Sequence, residues 1–554
     1  MKITKVFFLI FLCLVGLFSI NIQGVQSQEQ PELIYILSDG NVISSTNATV
    51  SIQRDGNIYT FTDDIIVTSL VVLRSNIIID GAGFNLYGQG DAGIDLSFMS
   101  GVTIKNVNIL GSFYYGIYLA ESSGITVIDN SIVGNGDGIF LYNSTQNTIS
   151  GNSVTGNQIG IELRSAPDNI FRNNMLNNSY NFGIYGTDLS HFINDIDSSN
   201  MVNNKRVYYL VEENNLVIGP STYPDAGFVG LVGCNNITVR DLELKHNGQA
   251  ILLAYTSSST IGQNVLSENF NGILFFKSSG NLVSSNDIID NFRGIQFANA
   301  SNSNSVSSNK ISRNTSGLFL FESSQNAISG NNITDNDTGI GFRGSSSNRI
   351  WGNYFVENEE QVYDYFLGNS SITPSLNFWS ISYQVGGNYW SDYTGVDVKS
   401  GPNQNQTGSD NIGDSPYVLY GANKDDFPLL PYGSAPGIFI DSPENKTYST
   451  NDVSLEFSVS ESTTWVKYSL DGKANVTITG NTILTGLDEG THNIIVYAQD
   501  LDGFTGLSER VYFTISEGAE SDFNGIPITW IVGAIVIVIG VALLIYMFRL
   551  RKKT

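Results

Sequence analysis

The chain has 554 residues, 27 basic against 52 acidic side chains and a formal net charge of -25, with 56 glycines among abundant Asn and Ser. A chain so poor in Lys and Arg lacks the electrostatic footprint of a nucleic-acid binder, which must neutralise phosphates. Its aliphatic residues recur in regular columns, which separates it from the polar, aliphatic-poor chains that stay disordered.

Residues 1–27 open with Lys2 and Lys5, run apolar from Val6 to Ile20 and end on small residues near Val25 and Ser27, the pattern of a cleaved signal peptide. Cys13 leaves with it, so Cys234 stands alone and paired-cysteine chemistry is excluded. Residues 28–92 carry strand-like runs (Ile34–Ile36, Ile65–Leu73, Asn76–Ile79) and read as an N-terminal cap.

Residues 93–360 repeat. Asn304, Asn326 and Asn348 stand twenty-two apart, as do Asn309, Asn331 and Asn353, and the apolar set Val306, Ile328 and Ile350 keeps step. A fixed period of this size signals a solenoid. Three apolar-alternating bursts per repeat, separated by Asn, Gly and Ser, predict three short strands per turn and hence a right-handed parallel β-helix. A Gly-Ile marker recurs at Gly93, Gly116, Gly138, Gly160 and Gly183, then as Ala250-Ile251, Gly272, Gly294, Gly317-Leu318 and Gly339. The interval from Gly183 to Ala250 reads as three more turns in disguise, one through Lys205–Tyr209 and the next through Gly227–Gly230, for an expected rod of about twelve turns, or roughly 55–60 Å of stacked strands. The Asn columns are expected at corners, where Asn tolerates left-handed backbone and bonds to the next Asn in the stack.

Ile52-Gln-Arg-Asp-Gly-Asn-Ile-Tyr59-Thr, Ile77-Ile-Ile-Asp80-Gly-Ala-Gly83, Val207-Tyr-Tyr-Leu210 and the run from Asn236-Ile-Thr-Val239 to Leu252-Leu-Ala-Tyr255 carry a resemblance. They resemble archaeal secreted proteins of the NosD-type β-helix family, over roughly residues 30–430. The resemblance implies the β-helix fold and a place in a broader group of carbohydrate-binding and sugar-cleaving β-helices. It also raises copper-site maturation. Residues 361–435, with Gly387-Asn-Tyr-Trp390 and Asp426-Phe-Pro-Leu429, are similar to that family's C-terminal end, and their aromatics are expected to plug the solenoid.

Residues 436–515 return to short strands at regular spacing, with turn signals at Asp471-Gly472 and Asp502-Gly503, and predict an immunoglobulin-like sandwich without its cysteine pair. A linker (516–527) leads to the apolar stretch 528–548, long enough to span a bilayer, with Trp530 and Tyr546 near its ends. The basic tail 549–554 marks the cytoplasmic side. The expected product is a single-pass protein whose rod faces outward, with the membrane and envelope carbohydrate as its partners.

Candidate chemistry is sparse. The Asp pairs Asp63-Asp64 and Asp425-Asp426 lie outside the repeats and His191, His246 and His492 share no column, so the reading leans away from a lyase or hydrolase. For copper only Met175, His191 and Met201 lie in one sequence neighbourhood, and none is a strong ligand set. For calcium, Asp410 and Asp414 flank Asn411 in an oxygen-rich loop. Sequons occur at Asn47, Asn143, Asn236, Asn332, Asn336, Asn445 and Asn475, among others.

One expectation concerns the outer face. In Gly-Ile-x-Leu the Ile and Leu point inward, so the residue between them and the one after point out. Turn by turn this gives Asp95, Tyr118, Phe140 with Tyr142, Glu162 with Arg164, and Tyr185, about 4.8 Å apart. Flat rings with Glu162 and Arg164 beside them suit sugar faces and hydroxyls. A weaker strip at Leu274, Phe276, Phe319 and Phe321 argues for packing instead.

Overall fold

The computed structural model describes residues 32–366, 374–407, 410–430, 436, 438–459, 463–500 and 505–516. The expected signal peptide (1–27) and membrane span (528–548) lie outside them; among the described residues no helix is long and apolar enough to cross a membrane. The chain divides into a unit up to Leu430 and a second from Pro431.

The first unit is a right-handed parallel β-helix of about fourteen turns. Each turn has three strands, as in Thr126–Ile128, Ser131–Val133 and Asp137–Tyr142. Each strand pairs in parallel register with its counterpart one turn on, so that Ile139 faces Ile161 and Ile328 faces Ile350. The two turns beyond the expected twelve sit at the ends. Ile65–Val72 already forms a rung inside the expected N-terminal cap, and Glu360–Asp364 forms one after the last Gly-Ile marker.

The Asn columns turn inward and form hydrogen-bonded ladders. Asn309 donates its backbone N–H (3.0 Å) and its Nδ2 (2.9 Å) to Asn331 Oδ1, and Asn331 does the same to Asn353. Asn331 Nδ2 also donates to Val306 O of the turn before, at 3.0 Å. Every polar atom of the Asn331 amide is thereby used, which is what makes its burial tolerable. The left-handed backbone expected at these Asn residues falls one residue earlier, at Ser308, Arg313 and Asp335. Reversing the chain there swings the following Asn into the core. Asn331→Ala is therefore expected to cost about 3 kcal/mol in urea unfolding, by stranding donors and acceptors on both neighbours. Asn332→Ala, one residue away and exposed, should change stability by about 0.5 kcal/mol or less.

The stack is not continuous. One face ends at Asp195–Ile196 and resumes as a separate sheet at Val217–Ile218; another stops at Met201–Val202 and resumes at Glu243–Lys245. Between the lower and upper stacks the strand Tyr180–Tyr185 meets residues 246–249. Asn181 N donates to His246 O (2.7 Å), Gly248 N to Phe182 O (2.9 Å) and Ile184 N to Gln249 Oε1 (3.1 Å). The apolar interior divides in the same way. The lower cluster takes in Phe182, Phe192 and Phe228 together with outward residues of the upper stack, Leu252, Ala254, Leu274 and Phe276, whereas Val229, Ile251, Ile273 and Ile295 belong to the upper core.

At the far end the ladders stop on chosen residues. Asn353 bonds Asn388, Asn388 N bonds Asp425 Oδ2 (2.6 Å), and Asn377 N bonds Asn423 Oδ1 (2.9 Å). Trp390 stacks on Phe355 (4.4 Å) and Tyr417 on Trp390 (4.6 Å), so the expected aromatic plug is present.

The second unit comprises two sheets. Ile438–Ser442, Val453–Val459 and Thr482–Leu484 form one; Thr463–Leu470, Gly490–Asp500 and Val511–Ile515 are the main strands of the other. Their apolar faces meet in one cluster of Val453, Leu455, Ile494, Val496 and Phe513.

Candidate functional site

The outer face of the long sheet carries three outward columns. Tyr118, Phe140 and Glu162 are successive partners in one; Ala120, Tyr142, Arg164 and Tyr185 form the second. The third lies before the marker glycine: Tyr115, Asp137, Ile159 and Tyr180. Sequence reasoning missed it because strict alternation puts the residue two before an inward Ile inside. The chain bends at the glycine instead. A Cβ on Gly138 would lie 2.4 Å from Val154 Cγ1, so Gly138 faces the core and Asp137 faces out. The signal was there to read: a marker that holds Gly in most turns and Ala at 250 needs a small residue at the bend, which leaves its predecessor on the outer surface.

One register expectation fails. Gly183 does not continue the Gly-Ile marker; Phe182 pairs with Ile161, Gly183 with Glu162 and Ile184 with Leu163. The turn is one residue short, since the ladder passes from Asn157 to Asn178. Tyr185 consequently stands beside Arg164, not above Glu162. Above Glu162 there is only a glycine, and a cavity of about 390 Å³ opens there, lined by Ile159, Glu162, Arg164, Tyr180, Gly183 and Tyr185 from below and Gly248 and Phe270 from above. It lies where the two stacks meet.

Around this opening the side chains are closely coupled. Tyr115 stacks on Tyr118 and on Phe140, both at 4.7 Å, and Tyr118 stacks on Phe140 at 5.8 Å. Arg164 sits 5.4 Å from the Phe140 ring centroid and forms an ion pair with Glu162. Phe140 and Glu162 are buried, Tyr118 and Tyr185 half-buried, Tyr142 and Arg164 exposed. Asp137 is 9% exposed and accepts no hydrogen bond from any described residue. Burial, reinforced by the charge of Glu162 and opposed by that of Arg164, pushes its carboxyl up to about 7. Burial also raises Glu162, against the pull of Arg164. Tyr115 is pushed up to about 12, chiefly by burial.

The weaker strip is packing. Phe276 lies 5.1 Å from Phe192, whose 3-10 turn (Leu189–Phe192) contacts the lower stack's last rung, and Leu274 is buried in the same cluster. Phe319 is covered by the Arg293 guanidinium at 4.4 Å and by Tyr365 at 5.3 Å, and Phe321 by Arg343 at 5.1 Å.

The loop expected to hold calcium spends its carboxylates internally. Asp410 Oδ2 accepts from Tyr383 Oη (2.8 Å) and Gly401 N (2.9 Å), its Oδ1 accepts from Ile412 N (3.1 Å), and Asp414 Oδ1 accepts from Lys399 N (3.0 Å). These bonds give both residues a loop-organising role.

A family model described as "Periplasmic copper-binding protein (NosD)" matches residues 16–205 and 192–395, more than half of the chain. The chain belongs to the NosD family. This NosD-family chain is also 38% identical over 91 residues to halomucin of Haloquadratum walsbyi, a match covering 15% of this chain and 1% of that protein. The match thus spans only a small fraction of that relative's length. Among solved structures, the A-module of Azotobacter vinelandii mannuronan C-5 epimerase AlgE6 is similar at 12% identity and a TM-score of 0.25, covering 58% of this chain and 87% of that one. The enzymatically active domain of bacteriophage CBA120 tailspike protein 2 is similar at 12% identity and a TM-score of 0.22, covering 82% and 73%. At such scores these likenesses carry no argument about chemistry.

Copper, implied by the family's description, finds no matching ligand set. Among the described residues no group of three His, Cys, Asp or Glu side chains is placed to hold a metal ion. Met175 and Met201 are register partners, but His191 turns its Nδ1 to Thr187 N and Oγ1, each at 3.2 Å. His246 pairs with Glu268 and His492 with Asp471. Cys234 is buried, with its Sγ 3.5 Å from the carbonyl oxygens of Leu210 and Val232.

Proposed function

We infer that this protein binds carbohydrate on the outer face of the lower stack, along Tyr118, Phe140, Tyr142, Glu162, Arg164 and Tyr185. One observation carries the reading: a stacked aromatic platform leads directly into a cavity whose polar groups are an ion-paired Glu and Arg and two tyrosine hydroxyls. Ring faces match the apolar faces of pyranoses, and convergent polar groups set orientation. Tyr118→Ala with Tyr185→Ala is expected to cut retention on a glycan array at least tenfold, since both rings are only half-buried, while shifting the unfolding midpoint little. Loss of the fold, or retention equal to the parent, sinks this reading.

The site serves an exported chain. Support comes from the family's periplasmic description and the apolar stretch 528–548 followed by Arg549-Leu-Arg-Lys-Lys553. In this reading the β-helix is an envelope or adhesion structure, followed along the chain by an immunoglobulin-like unit and a single C-terminal anchor. Protease added to intact cells is expected to remove everything before Ile528; a protected second unit contradicts that orientation. Should the chain carry glycans, Asn336 is not an acceptor, because its buried amide is committed to the Asn314–Asn358 ladder.

A further inference from the structure

We propose that the outer face of the larger sheet in the second unit rests on the surface of a lipid bilayer. The proposal rests on the anchored reading of the stretch 528–548 given above, and adds to it a surface that the anchor alone does not require.

The sheet turns one side to the core and the other outward. Val466, Ile494, Val496, Ala498 and Phe513 are buried in the apolar cluster of this unit. The alternate residues therefore face out. Trp465 and Lys467 stand on one strand, Ile495 and Tyr497 on the middle one, and Leu507 and Tyr512 on the segments beyond it. Lys467 is the register partner of Tyr497, and Tyr497 that of Leu507, so these side chains run in a row across the sheet. Leu507 is 65% exposed and Tyr512 49%, while Trp465, Ile495 and Tyr497 are half-buried.

Charge sets this face apart. The chain has 52 acidic side chains against 27 basic ones, yet among the described outward positions of this sheet there is no carboxylate and Lys467 is the one charge. The smaller sheet also shows apolar residues outward, Phe439 and Ile483, but places the Glu456 carboxylate on that same side. Trp465 satisfies its polar end within the face. Its Nε1 donates to Gln499 Oε1 (2.7 Å), and Lys467 Nζ lies 4.1 Å from the ring centroid. Trp and Tyr with a lysine and no acid are the side chains that suit the headgroup level of a membrane, rings toward the acyl chains and ammonium toward the phosphates. An acidic face would be repelled by an anionic lipid surface, and this one is not.

The length of the chain brings a bilayer within reach. The last strand, Val511–Ile515, ends beside Gly490. Eleven residues, 517–527, then lead to the apolar stretch, and fully extended they span about 36–40 Å. Tyr497 lies seven residues along its strand from Gly490, roughly 23 Å. The tether is long enough for the sheet to lie flat on the surface and short enough to hold the unit beside it.

The test uses the full chain reconstituted through its anchor into nanodiscs of phosphatidylcholine and phosphatidylglycerol. A fluorophore is placed by Leu507→Cys on the proposed face or by Ile483→Cys on the opposite one, and lipids spin-labelled near the headgroup serve as quenchers. The parent chain, with its buried Cys234, gives the background. Quenching is expected to be at least threefold greater at position 507 than at 483. It is expected to be lost when Lys467→Glu and Tyr512→Glu together place two carboxylates on the face. Circular dichroism of each variant separates lost docking from lost fold. Equal quenching at the two positions, or more at 483, overturns the proposal. Quenching at 507 that survives the two carboxylates removes the chemistry assigned to the face. A fluorophore at 507 that is shielded from water yet unquenched by lipid shows the face covered by protein, this chain's own or a second copy, and overturns the bilayer as its occupant. Alkaline extraction of vesicles tests the anchor separately. Release of the chain removes the anchored reading and the docking with it, whereas a retained chain with 507 unquenched removes the docking alone.

Discussion

Asp425→Ala is expected to destabilise the solenoid by about 4 kcal/mol and to open its C-terminal end first. Each ladder Asn donates toward the C-terminus, so the final residue must accept without needing to donate onward. A carboxylate meets that requirement outright, whereas an amide that ends a ladder needs another acceptor for its NH2, as Asn423 finds in Ser375 O (2.8 Å). Asp425 is fully buried and takes the Asn388 and Trp390 donors on one oxygen and the Phe427 N–H on the other. Removing it strands several buried donors at roughly 1–3 kcal/mol each, partly recovered by relaxation. It also frees the indole that stacks on Phe355. Asp425→Asn should recover little, because its NH2 would point at existing donors. Trp390 fluorescence during urea unfolding reads the result: a transition at lower urea than the bulk circular dichroism identifies the end as the failing part. Coincident, unshifted transitions would show that the ladder needs no terminator.

Asp137→Asn is expected to stabilise the protein, and increasingly so as pH rises. An unfolded aspartate has a pKa of about 3.9, whereas the folded carboxyl is pushed up to about 7. The folded state therefore binds the proton more tightly, and this group's contribution to stability falls as pH rises from about 4 to 7 and levels off above. Three units correspond to an upper limit of roughly 4 kcal/mol. Asparagine titrates nowhere in that range, so the difference between variant and parent should be small at pH 4 and fully developed by pH 8. A difference independent of pH would mean that Asp137 has a partner in solution.

Much of the rod was legible because its physics is one-dimensional. Ile139, Ile161, Ile328 and Ile350 repeat at the period of the coil, and only an inward column shared by neighbouring turns explains that. The aromatic closure was legible too, from Gly387-Asn-Tyr-Trp390 just beyond the last marker. The site was half legible. Phe140, Glu162 and Arg164 stand where alternation puts them, but Asp137 does not, because the glycine bend breaks the alternation that Ile139 and Leu141 obey. Tyr185 shifted column because the spacing from Asn157 to Asn178 loses one residue, and Gly183 hides the loss by imitating the marker. The junction near Asn181 and His246 depends on contacts between residues sixty-five apart. No local pattern announces these, since Val207, Tyr209 and Phe228 are as apolar as any inward column.

The offset between the stacks also governs how the rod fails under load. In an unbroken solenoid each turn hands its tension to the next through strands and inner column alike, and unravelling propagates from repeat to repeat. Here that transmission is interrupted between residues 186 and 248, where two of three faces break and the apolar interior changes sides. A pull on the C-terminal end is therefore expected to unwind the upper stack, repeat by repeat, before the lower one. The front is then expected to reach Phe182, Phe192 and Phe276, whose ring contacts with one another and with Phe228 belong to the lower cluster. The junction is thus expected to act as a mechanical fuse, with the cavity beside Glu162 set between its two sides.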